Sequence, residues 1–238
     1  MSNTEVVNLI HDRHARGHTK LGWLDSYHTF SFGSFQDPSR MGFRSLRVIN
    51  DDRVVPGAGF STHSHKDMEI VTYVLDGALE HKDSLGNGAV IRPGEIQKMS
   101  AGTGITHSEF NYSKEDPVHF YQIWLIPDTK GIEPGYEQIL LDLANFKNGF
   151  QIVGDRQGSN KTISICQDAK ILMAMPDDGA EISYSFTDGR YGFLQVARGQ
   201  IALNSEILKE GDGVEISNFS TITVVAQSDS ELLLFDLG

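Results

Sequence analysis

At residues 61–67 the sequence reads Ser-Thr-His-Ser-His-Lys-Asp, and at residues 104–110 it reads Gly-Ile-Thr-His-Ser-Glu-Phe. Each stretch carries two metal-binding side chains spaced two positions apart: His63 with His65, and His107 with Glu109. Side chains alternate between the two faces of a β-strand, so both members of a pair lie on one face. If the two strands are neighbours in a small barrel, three imidazoles and one carboxylate converge. The sequence therefore predicts a site for a divalent transition metal.

The rest of the chain predicts many short strands. Runs rich in β-branched and aromatic residues recur between turns that contain Gly, Asp or Asn, for example at residues 69–75, 120–126, 221–226 and 231–235. This pattern is typical of a sandwich or a barrel. Convincing helices are scarce. Residues 136–146 carry apolar side chains at roughly helical spacing, and the same segment could equally be an extended connection.

A weak internal repeat divides the chain into halves. Both halves show the same order of a strand, a glycine turn, a second strand, a turn with glycine and an acidic residue, and a third strand. Two copies of one β-barrel explain this order economically, so we predict domains at residues 1–135 and 145–238. All nine histidines lie at or before His119. Metal chemistry is therefore expected in the first domain.

Composition excludes several classes of function. The net charge of -12 repels phosphate backbones, so we expect no direct binding to nucleic acid. A single cysteine, Cys166, allows neither an internal disulfide nor a zinc site made of thiolates. The N-terminus has no signal-peptide pattern, and no apolar run is long enough to span a bilayer. We therefore expect a cytoplasmic protein with no membrane association.

Longer motifs around the histidines resemble known families. Residues 57–69 followed by Asp76-Gly77 resemble the first cupin motif, and Pro93-Gly94 followed by His107 resembles the second. A narrower resemblance, to the pirin family, is carried by residues 22–32, 41–52, 63–69 and 99–109. It is specific over residues 21–127 and weaker beyond them. The sequence is most similar to the shorter bacterial pirin-like proteins that carry quercetin 2,3-dioxygenase activity.

The resemblance implies an all-β bicupin, with two cupin-type barrels in tandem and one metal ion in the N-terminal barrel. The ligands of the family fall, residue by residue, on His63, His65, His107 and Glu109. In other cupins a glutamate at the place of Glu69 is often a ligand; here we expect Glu69 beside the ligands or at the edge of the core. The remaining histidines are predicted not to be ligands: His11, His14, His18, His28, His81 and His119.

The donor set also restricts the chemistry. The absence of a thiolate disfavours a closed structural zinc site, and four protein ligands leave positions open for a substrate. Iron(II) is the first choice of metal, with nickel, manganese, copper, cobalt and zinc as alternatives. The resemblance implies a dioxygenase that opens a flavonol ring with dioxygen and releases carbon monoxide. Glu109 is then the base that removes the proton of the flavonol 3-hydroxyl group.

Two other functions stay open at this stage. The first is a metal- or redox-sensing module that regulates a protein partner, with activity on quercetin incidental. The second is a cupin isomerase or hydrolase that uses the metal only as a Lewis acid. Aromatic residues near the motifs could line a pocket for a flat substrate or pack in the core: Phe30, Phe32, Phe43 and Phe60.

Overall fold

The computed structural model describes residues 9–204, 206–218 and 220–238, and in them the chain is nearly all-β. The helical segments of this part of the chain are two 3-10 helices, Arg13–Ala15 and Leu143–Asn148. No helix within the described residues is long and apolar enough to cross a membrane.

The strands are short and follow one another closely along the chain. In chain order they are β1 Leu9–His11, β2 Gly17–Lys20, β3 Leu24–His28, β4 Leu46–Val54, β5 Gly59–His65, β6 Glu69–Asp76, β7 Leu79–Asp83, β8 Gly88–Ile91, β9 Glu95–Ser100, β10 Ile105–Asn111, β11 Val118–Leu125, β12 Gly135–Leu140, β13 Gln151–Asp155, β14 Ile163–Ser164, β15 Ala169–Ala174, β16 Glu181–Ser185, β17 Tyr191–Arg198, β18 Gln200–Leu203, β19 Glu206–Lys209, β20 Gly213–Ile216, β21 Thr221–Ala226 and β22 Glu231–Leu237.

The chain forms two compact units. The N-terminal unit comprises Gly17–Leu141 and Asp155–Asp168, and the C-terminal unit comprises residues 9–16, 142–154 and 169–238. The predicted domains, 1–135 and 145–238, left residues 136–144 unassigned, and outside that linker the bounds differ at two segments. Residues 9–16 belong to the C-terminal unit because β1 pairs with β20. Residues 155–168 belong to the N-terminal unit, where Ser164 donates a backbone hydrogen bond to Glu137.

The N-terminal unit is built from a large and a small sheet. The large sheet has the order β12-β9-β6-β11-β4-β3-β2, and the small one has the order β5-β10-β7-β8. Apolar side chains from both sheets form a shared core, with Val74 and Phe120 on the large sheet and Leu79 and Ile91 on the small one. Strand β6, in the interior of the large sheet, is buried over seven of its eight residues, as its run of β-branched and aromatic side chains predicts.

The C-terminal unit repeats this plan. Its larger sheet contains β1-β20-β17-β22-β15-β13, and its smaller sheet has the order β16-β21-β18-β19. The core between them is apolar, with contributions from both sheets such as Leu194, Leu234, Ile201 and Val224. The predicted repeat of an all-β unit is therefore present in the structure.

The segment 136–146 is a strand up to Leu140 and a 3-10 helix from Leu143, so the extended alternative is correct for its first part only. Strand β12 pairs with β9 at the edge of the large sheet. The helical spacing of the apolar residues was misleading because Leu140 is 76% exposed and therefore contributes nothing to a buried helix face.

Two leucine substitutions test the assignment of the N-terminal core. Leu79→Ala removes a fully buried side chain, and we expect it to lower the free energy of unfolding by about 2–5 kcal/mol. Leu140→Ala makes the same chemical change at an exposed position, and we expect a change within about 0.5 kcal/mol. Urea unfolding followed by tryptophan fluorescence measures both. Equal losses in the two variants would contradict the core described here.

Candidate metal centre

Two neighbouring strands of the small sheet, β5 and β10, carry the predicted donors. Strand β10 pairs with β5 on one side and with β7 on the other. The register places His107 directly opposite His63, and Glu109 directly opposite His81. A register shift on the β5 side lies between His107 and Glu109. Because residues two apart share a face, the pairs His63/His65 and His107/Glu109 lie on the same face of the sheet.

The side chains of the three predicted histidine ligands lie next to one another. The ring centroid of His63 lies 4.4 Å from that of His107 and 4.8 Å from that of His65, and the rings of His65 and His107 are 5.0 Å apart. One nitrogen of each ring lies within 4.8 Å of the nitrogens of the other two. This spacing suits three imidazoles around one ion, with small side-chain adjustments to reach bonding distance.

Hydrogen bonding in the cluster also fits a metal. His107 is 3% exposed, and neither of its ring nitrogens has a hydrogen-bond partner in the described residues. A buried unpaired nitrogen is costly, and a metal ion at this position would satisfy one of the two. The Nδ1 atom of His63 donates to the backbone oxygen of Ser61 at 2.8 Å. That bond leaves the Nε2 lone pair of His63 free, which is the arrangement usual for a metal-binding histidine.

Burial keeps the imidazoles neutral. Desolvation and the neighbouring His63 lower the pKa of His65 to about 4. Desolvation, together with His63 and His65, lowers the pKa of His107 to about 3. A histidine must be neutral to bind a metal ion. Both rings are therefore in the binding form at neutral pH.

Glu109 is held by residues of the large sheet. The amide nitrogen of Gln122 donates to both carboxylate oxygens, at 3.0 and 3.2 Å, and the hydroxyl group of Thr72 lies 3.4 Å from one of them. Burial raises the pKa of Glu109, and the bond from Gln122 opposes this shift. A carboxylate with a raised pKa is a stronger base than one in water.

His81 is the residue that sequence analysis missed. It was predicted not to be a ligand, but it forms a second group of possible donors with His107 and Glu109. Its Nε2 atom donates to the Oδ2 atom of Asp83 at 3.1 Å, and both side chains are buried. The pairing of β7 with β10 creates this group, and spacing within one strand cannot reveal it. The one available signal was the spacing of two between His81 and Asp83.

A cavity of about 270 Å³ opens onto the predicted donors. Its wall includes the four residues His63, His65, His107 and Glu109, and it does not include His81. Of the four aromatic candidates, Phe32 and Phe60 line it, and Phe30 and Phe43 are not among its lining residues. Trp124, which the sequence analysis did not select, also lines the cavity, and its ring lies 4.9 Å from that of His65.

Glu69 lies on the opposite face of strand β6 from the cavity. The next residue, Ile70, lines the cavity, so the alternation of side chains turns Glu69 away from it. Its Oε2 atom accepts hydrogen bonds from the Ser100 hydroxyl group at 3.0 Å and from the Cys166 amide at 3.2 Å. Glu69 was expected either beside the metal ligands or at the edge of the core, and these contacts support the edge of the core. There its hydrogen bond with the Cys166 amide holds segment 155–168.

Most of the remaining histidines are engaged in other contacts. His119 donates to Asp51, His11 to Glu215 and His18 to Asp25, at 2.7–2.9 Å. His28 lines the cavity but is bonded to Thr19 and Asn50. None of the four belongs to a group of three donors within the described residues.

Comparisons with known proteins agree with this architecture. The family model described as Pirin matches residues 10–125, and the model described as quercetinase C-terminal cupin domain matches residues 152–237. The chain is 45% identical over 223 residues to a protein of Escherichia coli K12 named quercetin 2,3-dioxygenase, covering 93% of this chain and 95% of that protein.

Two solved structures are also similar. The crystal structure of the bacterial pirin YhhW from Escherichia coli, in complex with nickel(II), superposes with a TM-score of 0.91 at 43% identity, covering 96% of this chain and 98% of that one. The structure of YhaK from Escherichia coli has a TM-score of 0.75 at 30% identity, covering 89% and 93% of the two chains.

The two β-sheet units and the cupin motifs define the class as a bicupin protein. Within that class, the matches over both halves of the chain identify the family, and the chain belongs to the pirins.

The low pKa of His107 predicts how the stability of the metal-free protein depends on pH. Its pKa is 6.5 ordinarily and about 3 in the fold. Between these values the unfolded chain binds a proton that the folded chain does not, so stability falls as the pH is lowered. His107→Asn should reduce this slope by up to one proton between pH 4 and 6, roughly the middle of that window.

Urea unfolding in chelator at several pH values measures this slope. The raised pKa values of Glu109 and Asp52 act in the opposite direction, but these groups are present in both proteins. The difference between the two proteins therefore isolates His107. An unchanged slope in His107→Asn would show that His107 is protonated in the fold at these pH values.

Proposed function

We propose that this protein is a metal-dependent dioxygenase that opens the ring of a flavonol with dioxygen. The observation that carries the proposal is the buried imidazole of His107, whose nitrogens have no hydrogen-bond partner among the described residues. It lies with two further histidines and a carboxylate at the wall of one cavity. The names of the relatives support the reaction, and the nickel(II) complex of YhhW supports the metal.

One divalent ion is proposed to bind His63, His65, His107 and Glu109. The rival donor group of His81, His107 and Glu109 is less suitable because His81 does not reach the cavity wall, through which an ion and its substrate must enter. Iron(II) remains the proposed native ion. Nickel(II) is its strongest rival, because a relative with 43% identity binds it.

The chain's own residues prepare the substrate. When bound, the ion supplies a Lewis acid that stabilises the deprotonated hydroxyl oxygen of the flavonol. Glu109 accepts the proton of that hydroxyl group, since its buried carboxylate is basic and already faces the histidines. Gln122 orients the carboxylate through its amide hydrogen bonds.

The cavity walls suit a flat aromatic molecule. Phe32 and Trp124 pack edge to face with ring centroids 5.5 Å apart, and Phe60 and Ile70 add apolar surface. Aromatic walls favour stacking with an aromatic ligand and exclude water from the reacting oxygen. The volume of about 270 Å³ is near the lower end for small-molecule sites, so the ligand is a compact one.

Oxygen consumption distinguishes this function from its rivals. Protein purified without added metal is first analysed for bound elements, then assayed in an oxygen electrode with a panel of flavonols. The dioxygenase should consume oxygen and release carbon monoxide. A Lewis-acid isomerase or hydrolase consumes none. Metal-loaded protein that takes up no oxygen with any flavonol would favour the sensing module that regulates a partner.

The ligand assignment predicts selective loss of metal. His63→Ala, His65→Ala and His107→Ala should each reduce metal content well below one ion per chain, because each removes one of four donors. His18→Ala should keep full metal content, since His18 is an exposed partner of Asp25. His81→Ala should keep it as well. Elemental analysis measures all five, and metal loss in His81→Ala would favour the rival donor group.

Glu109→Gln tests the role of base. If Glu109 only completes the ligand set, excess metal should restore activity. If it also accepts the proton, activity should stay about 10²–10⁴-fold below wild type at full occupancy, as for the loss of a positioned base. We expect the second result, together with loss of the acidic limb of the pH-rate profile. Wild-type activity and an unchanged profile in metal-saturated Glu109→Gln would refute the role of base.

A further inference from the structure

The cavity has a polar wall opposite the histidines. It is formed by the inner face of the large sheet, where residues two apart on one strand point the same way. Strand β4 contributes Asn50 and Asp52, the neighbouring strand β3 contributes Ser26 and His28, and β11 contributes Gln122. A cavity that served only to hold a ring would not need so many polar groups.

Most of these polar groups already have partners inside the protein. The two ring nitrogens of His28 bond to Thr19 at 2.9 Å and to Asn50 at 2.8 Å. The amide nitrogen of Gln122 is committed to Glu109. These side chains have little capacity left for a ligand.

Asp52 is different. Its side chain is 3% exposed, and Ser26 gives it one side-chain hydrogen bond. Its Oδ1 atom has no hydrogen-bond partner among the residues that the structure describes. A buried oxygen without a partner costs free energy, and a ligand that donates a hydrogen bond to it would remove that cost.

We propose that Asp52 is a specificity residue that hydrogen-bonds a phenolic hydroxyl group of the substrate remote from the hydroxyl that Glu109 deprotonates. This inference rests on the proposed function, because it takes the ligand to be a polyhydroxylated flavonol. The donor is the phenolic O–H group and the acceptor is the Oδ1 atom. The structure thereby offers two anchors in one cavity, the histidine cluster at one wall and Asp52 at the other.

Charge supports this role. Burial, with a smaller contribution from nearby acidic groups that include Glu109, raises the pKa of Asp52 to about 7. A ligand hydroxyl group that donates to the carboxylate would relieve part of the cost of burying it. A ligand without that hydroxyl leaves the carboxyl group unsatisfied. Rejection of such ligands is the usual consequence of a polar group built into a binding site.

Anaerobic calorimetry with nickel(II)-loaded protein tests the inference without turnover. Two ligands are compared: quercetin, and 3-hydroxyflavone, which keeps the 3-hydroxyl group and lacks the others. Hydrogen bonds to charged groups contribute ~1.5–3 kcal/mol, so wild type should bind quercetin about 10–100-fold more tightly. We call the ratio of the two affinities, quercetin to 3-hydroxyflavone, the preference. In Asp52→Val this preference should fall close to one, mainly because quercetin binds more weakly. Asp52→Asn, which can still accept a hydrogen bond but carries no charge, should keep a smaller preference for quercetin.

The adjacent Asp51 provides the matched control. It lies on the other face of β4, bonded to His119 and Arg53. Asp51→Asn should therefore leave the preference unchanged. A wild-type preference near one, an unchanged preference in Asp52→Val, or no saturable binding of either flavonol would overturn the inference. Tight quercetin binding without oxygen uptake would refute the dioxygenase proposal and leave the role of Asp52 intact.

Discussion

The pairing of β5 with β10 is the constraint on which the candidate site depends. Two short motifs separated by some forty residues of chain become one cluster only because antiparallel pairing places His107 opposite His63. A slip of one residue would turn one pair of donors to the other face of the sheet. Apolar side chains on both strands resist that slip, since it would remove Phe60 of β5 and Ile105 of β10 from the apolar clusters they pack in.

The same arrangement explains the unusual electrostatics of the N-terminal unit. Imidazoles and carboxyl groups placed on the inner face of a sandwich lose contact with water, so burial lowers the pKa of His65 and His107 and raises the pKa of Glu109. Both shifts favour the neutral forms. The fold therefore presents neutral nitrogen donors together with a carboxyl group of increased basicity, and a bound cation would restore the charged form of Glu109 by direct attraction.

The sequence was informative where the physical rule is local. Alternation along a strand correctly placed His63 with His65 and His107 with Glu109 on one face, and the motifs predicted the all-β bicupin. It was uninformative where contacts join strands that are distant in sequence. His81 meets Glu109 through the pairing of β7 with β10, and Trp124 and Asp52 reach the cavity from the large sheet. Glu69 matched a ligand position of other cupins, yet it is directed away from the cavity.

The C-terminal unit shows that the fold does not require the site. It has the same two-sheet plan, yet its core is filled by apolar side chains such as Leu194 and Val224. The free energy of folding therefore comes from apolar burial in both units, and the buried polar groups of the N-terminal unit reduce it. The ring nitrogens of His107 and the Oδ1 atom of Asp52 have no hydrogen-bond partner within the described residues, and the proposed metal ion and substrate would supply such partners after the sandwich has formed.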